Sequence, residues 1–256
     1  MKRFIYLLIA ICFAGFMDAQ AQYAVTGYRS DVSKVGTTAA PFLTIGIGAR
    51  ANAMGGAFAS VANDVTALHW NPAGIASLNT NQLALFHSDW IADLRHDFLG
   101  FAASLGVMGN IGFSLNALTM DELVVRTPFF PEGTGEKAGA YDIALGLSYA
   151  RELTHRLSIG ATVKYIRSEL WHMSAQTMGV DLGIIFSDIF NVIQLGGAIT
   201  NMGGKMKYGG RDTYVYYDMQ ENEYGNNERI DAELRTSRFN LPVAFRAGLS
   251  TVIMKN

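Results

Sequence analysis

Between residues 139 and 151 the chain reads GAYDIALGLSYAR, and large side chains take every second position. Tyr141, Ile143, Leu145, Leu147 and Tyr149 share one face of a period-2 strand, while Ala140, Asp142, Ala144, Gly146, Ser148 and Ala150 share the other. Leu157 to Tyr165 repeats the pattern, setting Leu157, Ile159, Ala161, Val163 and Tyr165 against Ser158, Gly160, Thr162 and Lys164. Ser174 to Ser187 repeats it again, with Met178, Val180, Leu182, Ile184 and Phe186 opposed to Thr177, Gly179, Asp181 and Gly183. One face is large and apolar; the other is small or polar. The larger part of the chain reads as all-β.

A soluble sandwich alternates too, with its large residues inward and a solvent face usually rich in charged residues. Here the face opposite the large residues is made of Gly, Ala, Ser and Thr. A transmembrane antiparallel β-barrel accounts for that inversion, because its outer face is apolar and its lumen is polar or small. Tyr141 to Tyr149 spans eight steps of roughly 3.3 Å, which at a tilt of about 40° gives roughly 20 Å of height, near that of the apolar band. On this reading Tyr141, Leu145, Leu147, Leu182, Ile184 and Phe245 point to lipid. Asp142, Lys164, Asp181 and Arg246 are lumen charges.

Composition agrees. Hydrophobic residues are 50% of the 256 and charged ones 16%, yet past the N-terminus no apolar run reaches the roughly 18 residues of a spanning helix. The net charge of −2 offers nothing to a nucleic-acid partner. At the N-terminus, Lys2-Arg3, the apolar run FIYLLIAICFAGF and Ala19-Gln20-Ala21 read as a signal peptide over 1–21, cleaved near Gln22. Cys12, the one cysteine, lies inside it, and Ile11 before it is larger than a lipoprotein signal requires. The mature chain then has no disulfide, cysteine metal site or thiol chemistry.

Strands are predicted at about 82–90, 95–105, 109–119, 139–151, 156–170, 174–187, 191–201 and 239–251. The connections near 106–108, 152–155 and 188–190 are short. Those at 91–94, 120–138 and 202–238 are longer, with 171–173 the exception, matching short periplasmic turns and longer outer loops. This divides the chain into a signal peptide (1–21), an N-terminal hatch segment (22–81) and β-barrel strands (82–256). A closed eight-stranded barrel has room only for its own side chains. The small inward faces and the long N-terminal segment therefore imply a barrel larger than these strands supply, or a truncated sequence.

The segment before the first strand carries the most specific residues: PFLxIGxGAR from Pro41 to Arg50, Met54-Gly55-Gly56-Ala57-Phe58, Asn63-Asp64, and Trp70-Asn71-Pro72-Ala73-Gly74. With the stretch Ser148–Ile166, Asn201-Met202-Gly203 and Leu241-Pro242 to Leu249, these resemble the PorV/PorQ family of outer-membrane proteins. That family is similar to the long-chain fatty acid transporters, whose barrels have fourteen strands and an N-terminal hatch bearing Asn-Pro-Ala. The resemblance implies an incomplete barrel of about 8 strands out of about 14. It also implies a hatch motif of Arg50, Gly55, Gly56, Asp64, Trp70, Asn71, Pro72, Ala73 and Gly74, and no cofactor. Implied partners are membrane lipid, lipopolysaccharide, secreted cargo proteins and other components of the type IX secretion system, at the cell outer membrane. The implied role is that of a non-catalytic adaptor or shuttle, with a hatch-gated transporter of hydrophobic solutes such as fatty acids as the alternative. Where the secretion-specific branch has Pro-Asp-Ala-Arg, this chain has Gly46-Ile47-Gly48-Ala49-Arg50, and Gly74 stands where that branch has Lys. It sits closer to the generic branch.

The segment should fold against the lumen wall, since it is too rich in Gly and Ala to build a core alone. Asn71-Pro72-Ala73 should make the turn, and Trp70 should pack on barrel residues with its indole N–H bonded. Other motifs carry less. Gly46-Ile47-Gly48-Ala49-Arg50-Ala51 fits a loose dinucleotide pattern, but no βαβ unit follows it. His69, His87, His96, His155 and His172 show no metal-ligand spacing. Asp142, Lys164 and Asp181 read as a charge-neutralising network in preference to a hydrolytic acid dyad, so neither a catalytic nor a metal site is expected. The loop 202–238 mixes Tyr with charges of both signs. It reads as a solvated outer loop or as a protein-contact surface.

Overall fold

The structure is a computed structural model that describes residues 38–189, 192–217 and 230–251. The stretch expected to be a signal peptide (1–21) and residues 22–37 of the expected hatch segment lie outside the described residues. Eight long strands follow the N-terminal segment: β1 (Gln82–Asp89), β2 (Leu94–Ser104), β3 (Asn110–Met120), β4 (Ala140–Thr154), β5 (Leu157–Leu170), β6 (Met173–Ile189), β7 (Ile193–Gly203) and β8 (Ala244–Thr251). They lie within a few residues of the expected spans, except the last. There Arg238–Asn240 leaves to pair with Lys205–Lys207, and β8 begins only after Leu241-Pro242, because proline has no N–H for the ladder.

Each strand pairs antiparallel with the next, so the sheet is a meander, with Gly209–Gly210 added beside the start of β6. Among the described residues β1 and β8 are its two edges, and the sheet is open. No helix of the described residues is long and apolar enough to cross a membrane.

The two faces differ as the alternation requires. Leu85, Leu147 and Phe245 are 72%, 66% and 73% exposed, and Val163, Leu182 and Ile184 point the same way. The opposite face is covered by the N-terminal segment, which touches every strand. Gly48 approaches Phe86 of β1, Val65 approaches Gly100, Leu68 approaches Gly112 and Pro72 approaches Gly160. Asn71 meets Gly183, Ala59 meets Gly196, Ser60 meets Gly248, and Ala150 of β4 joins the same core. A flat sheet of this many strands would be roughly 34 Å wide, yet Gly48 lies against Phe86 of β1 while Trp70, bonded to the adjacent Ile47, meets Arg246 of β8 at 5.1 Å, so the sheet curls around the segment. One core is built largely from the segment's own Ile47, Phe58, Leu68, Trp70 and Ile75, with Phe98, Ala102 and Ala150 from the sheet. The segment thus supplies more of a core than its Gly and Ala content suggests, because its few large residues converge. A second core joins Phe42 and Leu43 to Ile166, Met206 and Leu241.

Close approach is possible because the sheet is bare where the segment turns. Gly160 and Gly183 are cross-strand partners, flanked by Ala150 and Ala198. A Cβ on Gly160 would lie 2.4 Å from the carbonyl carbon of Pro72, and one on Gly183 2.1 Å from Asn71 Oδ1. Gly160→Ala should therefore push the Pro72 turn off the sheet, at about 1–3 kcal/mol for overpacking. Hydrogen exchange should show residues 71–77 losing protection while β5 and β6 keep theirs. Unchanged protection at 71–77 would contradict the close contact.

Candidate functional site

Asn71, fully buried, ends the short Ala67–Trp70 helix and caps the 3₁₀ turn Pro72–Ser77. Its Oδ1 accepts from the Ala73 N–H at 3.1 Å. Its Nδ2 donates to the Ala59 carbonyl at 2.7 Å and to the Ile184 carbonyl of β6 at 3.2 Å. One side chain thus caps the turn, ties it to the segment and ties it to the sheet. Pro72 follows at the first position of the turn, where a missing N–H costs nothing. Gly74 completes the motif, since a Cβ there would meet the Ala62 carbonyl oxygen at 2.3 Å. Asn110 of β3 secures the far end by donating to the carbonyls of Ile75 and Leu78 at 2.6 and 2.8 Å.

The remaining motif residues fold the segment on itself. Arg50 Nη1 donates to Asn63 Oδ1 at 2.6 Å and to Asp64 Oδ2 at 3.1 Å, while its guanidinium lies 5.0 Å from the Phe58 ring centre. Asp64 in turn accepts from the Thr66 N–H at 2.8 Å. Gly55 and Gly56 take φ of 62° and 79°, a reversal that residues with a Cβ rarely adopt. Trp70 is buried, but its indole N–H donates to the Ile47 carbonyl at 2.8 Å and its ring meets Phe58 edge-on. Most of its partners are therefore in the segment instead of the sheet. The sheet contributes Arg246, whose guanidinium sits 5.1 Å from the indole.

Beneath the segment lies a polar cluster. Lys164 Nζ is 2.6 Å from Asp181 Oδ2 and donates to Asn201 Oδ1 at 3.1 Å. Asp181 Oδ1 accepts from the Asn201 N–H at 2.7 Å. This geometry depends on a bulge, since the β6–β7 register jumps from Val180↔Met202 to Leu182↔Ile199, leaving Thr200 and Asn201 opposite Asp181 alone. Asn201 takes φ 61°, a conformation in which Asn is enriched. Its N–H then turns to the carboxylate. Arg246 Nη1 donates to Thr200 Oγ1 at 2.9 Å. Asp142 is level with Ser168, whereas Asp181 pairs with Thr162 and so lies level with Ser148. Six residues along β4 is roughly 20 Å, too far for an acid dyad.

His69 completes the cluster from the segment's side. It is buried against Lys164, Arg246 and His96, and its Nε2 has no hydrogen-bond partner. It lines a cavity of about 10 Å³ with Ser114, Asn116 and Lys164. Burial above all, then the charges of Lys164 and Arg246 and the neighbouring His96, hold its pKa well below the ordinary value of 6.5. Sequence reading passed over His69 as metal-free, and Gly160, Gly183 and Asn201 as site residues. The glycines were visible on the small face, but which of them meets the turn depends on register. His172 bridges Glu136 and Asp212 at the far rim, and no metal-ligand cluster occurs among the described residues.

The arrangement defines an open antiparallel meander sheet whose small-residue face is filled by the chain's own N-terminal segment, with the Lys164–Asp181 ion pair buried beneath it. A model of the family described as Uncharacterised protein family (UPF0164) matches residues 15–180, more than half of the chain, and the chain belongs to that family. The match spans the segment motifs, β1 to β5 and the first half of β6. No curated protein matches the chain.

Two consequences are measurable. Lys164→Met leaves Asp181 buried without its cation, and should destabilise the protein by about 3–5 kcal/mol. Adding Asp181→Leu should restore much of that loss in denaturant titrations. For His69, the docked segment holds the imidazole neutral while an undocked one titrates near 6.5. Docking should be strongest above about pH 6.5 and weaken about tenfold for each unit below it, until the lowered pKa is reached. Hydrogen exchange of residues 66–76 should follow that slope in the wild type and lose it in His69→Leu.

Proposed function

We propose that this chain forms wall and hatch of an outer-membrane β-barrel, and that it works as a non-catalytic adaptor for exported proteins. The observation that carries this reading is the exposed face of the sheet. Large apolar residues repeat outward on every long strand, while Lys164, Asp181 and Arg246 turn inward to the segment. A lysine or arginine at the lipid midplane costs roughly 2–4 kcal/mol, so this sorting suits a lipid-facing wall. Further strands between the edges of β1 and β8 would close the barrel, in keeping with the resemblance to fourteen-stranded proteins.

The adaptor role within type IX secretion and surface attachment, with secreted cargo and lipopolysaccharide as partners, comes from the PorV/PorQ resemblance. The filled inner face supports it over an open pore. The second reading, a transporter of hydrophobic solutes, is favoured by the small-residue contacts between turn and sheet, which lock few side chains and suit a hatch that moves. Outer-membrane fractionation should recover a mature form beginning near Gln22, and Leu147→Arg should lower its yield there. Retention of the full-length chain in the inner membrane would overturn the barrel. A deletion strain separates the roles. Loss of surface-attached proteins is the adaptor's signature, whereas loss of fatty-acid uptake with surface proteins intact is the transporter's.

A further inference from the structure

The connection between β7 and β8 folds back over the end of the sheet as a short ribbon, in which Lys205–Lys207 pairs antiparallel with Arg238–Asn240. Alternation gives this ribbon two unlike faces. Met206 and its cross-strand partner Phe239 turn inward onto the core formed by Phe42 and Leu241. Lys205, Lys207 and Arg238 turn the other way and are exposed. The register sets Lys207 directly opposite Arg238, and like charges in opposed positions destabilise a ribbon. Nothing in the fold requires that repulsion.

Arg235 adds a third cation. Together with Thr236 and Ser237, Lys207, Arg235 and Arg238 line a cleft of about 580 Å³, and among the described residues no carboxylate lines it. Among the described residues its countercharge is Glu233, whose Oε1 is 3.8 Å from Lys207 Nζ in a loose, exposed pair. Arg235 and Arg238 have no ion-pair partner among the described residues. The backbone carrying these cations is fixed. The Ala39 N–H donates to the Asn240 carbonyl at 2.9 Å, and the Thr236 hydroxyl donates to the Tyr208 carbonyl. The backbone from which the charges project is thus tied down before any ligand arrives, which leaves only side-chain freedom to be lost on binding.

We propose that this cleft binds a phosphate group carried on a small polar molecule such as a sugar. Two guanidinium forks match phosphate oxygens in pairs, and the Lys207 ammonium and the Ser237 hydroxyl add further donors. Among the described residues, three cations against one loose carboxylate suit a dianion better than a single carboxylate. The volume lies within the roughly 300–1,000 Å³ of small-molecule sites, so the cleft has room for more than the phosphate. The chemistry stands on the cleft alone. Only the source rests on the outer-membrane reading, in which this end faces the phosphorylated headgroups of outer-leaflet glycolipid.

The full chain in detergent micelles at low salt, titrated with glucose 1-phosphate by calorimetry, tests the site. Wild type should bind glucose 1-phosphate, and glucose not at all. Arg235→Gln with Arg238→Gln should weaken binding by about tenfold or more. The thermal midpoint of the unliganded double variant should hold or rise, because Lys207 loses its opposed charge. Micelles doped with phosphorylated lipid A should compete with glucose 1-phosphate if the source is lipid, while dephosphorylated lipid A should not. Competition by neither, with glucose 1-phosphate still bound, assigns the site to soluble phosphorylated glycans. Equal affinity in the double variant overturns the proposal. So does a lowered midpoint without loss of binding, or tighter binding of a glutamate-rich peptide than of glucose 1-phosphate. None of these outcomes bears on membrane location, which fractionation decides separately.

Discussion

Contact between two backbones organises this protein. The carbonyl carbon of Pro72 and the side-chain oxygen of Asn71 lie where Cβ atoms of Gly160 and Gly183 would be, so the segment rests directly on the peptide planes of β5 and β6. At the glycines, contact this tight offers little apolar side-chain area. Its strength comes instead from close packing and from hydrogen bonds that leave few buried polar groups unpaired. Asn71 answers for three of them, and Asn110 for two more at the far end of the turn. The bareness of the strands at this level follows: a larger residue at either glycine would lift the turn and strand its carbonyls.

The sheet's inversion and its buried charges are consequences of the same arrangement. Small residues that admit the segment leave the large ones no place but the opposite face, where they stay exposed along every long strand. Charge on the covered face must be balanced locally, and the bulge at Thr200 and Asn201 does this by turning a backbone N–H onto Asp181 while Lys164 meets the other oxygen. His69 is the exception, an imidazole with an unpartnered nitrogen among cations. It sets the interface apart from an inert filler, because a proton there would add a charge beside Lys164 and Arg246 where segment meets sheet.

Alternation of large and small residues sufficed to place seven strands to within a few residues and to sort large from small onto two faces, because side-chain direction in a strand has a period of two and needs no tertiary information. Asn71-Pro72 announced a turn for an equally local reason: proline fixes φ, and asparagine caps the amide that follows. Tertiary structure alone decided which glycines meet that turn, that Trp70 bonds Ile47 within the segment, and that the strand expected at 239–251 divides at Pro242. It also decided that Asn201 adopts a left-handed bulge and that Lys207 faces Arg238. These depend on register between strands distant in sequence. A shift of two residues would preserve every face and every alternation while changing every partner.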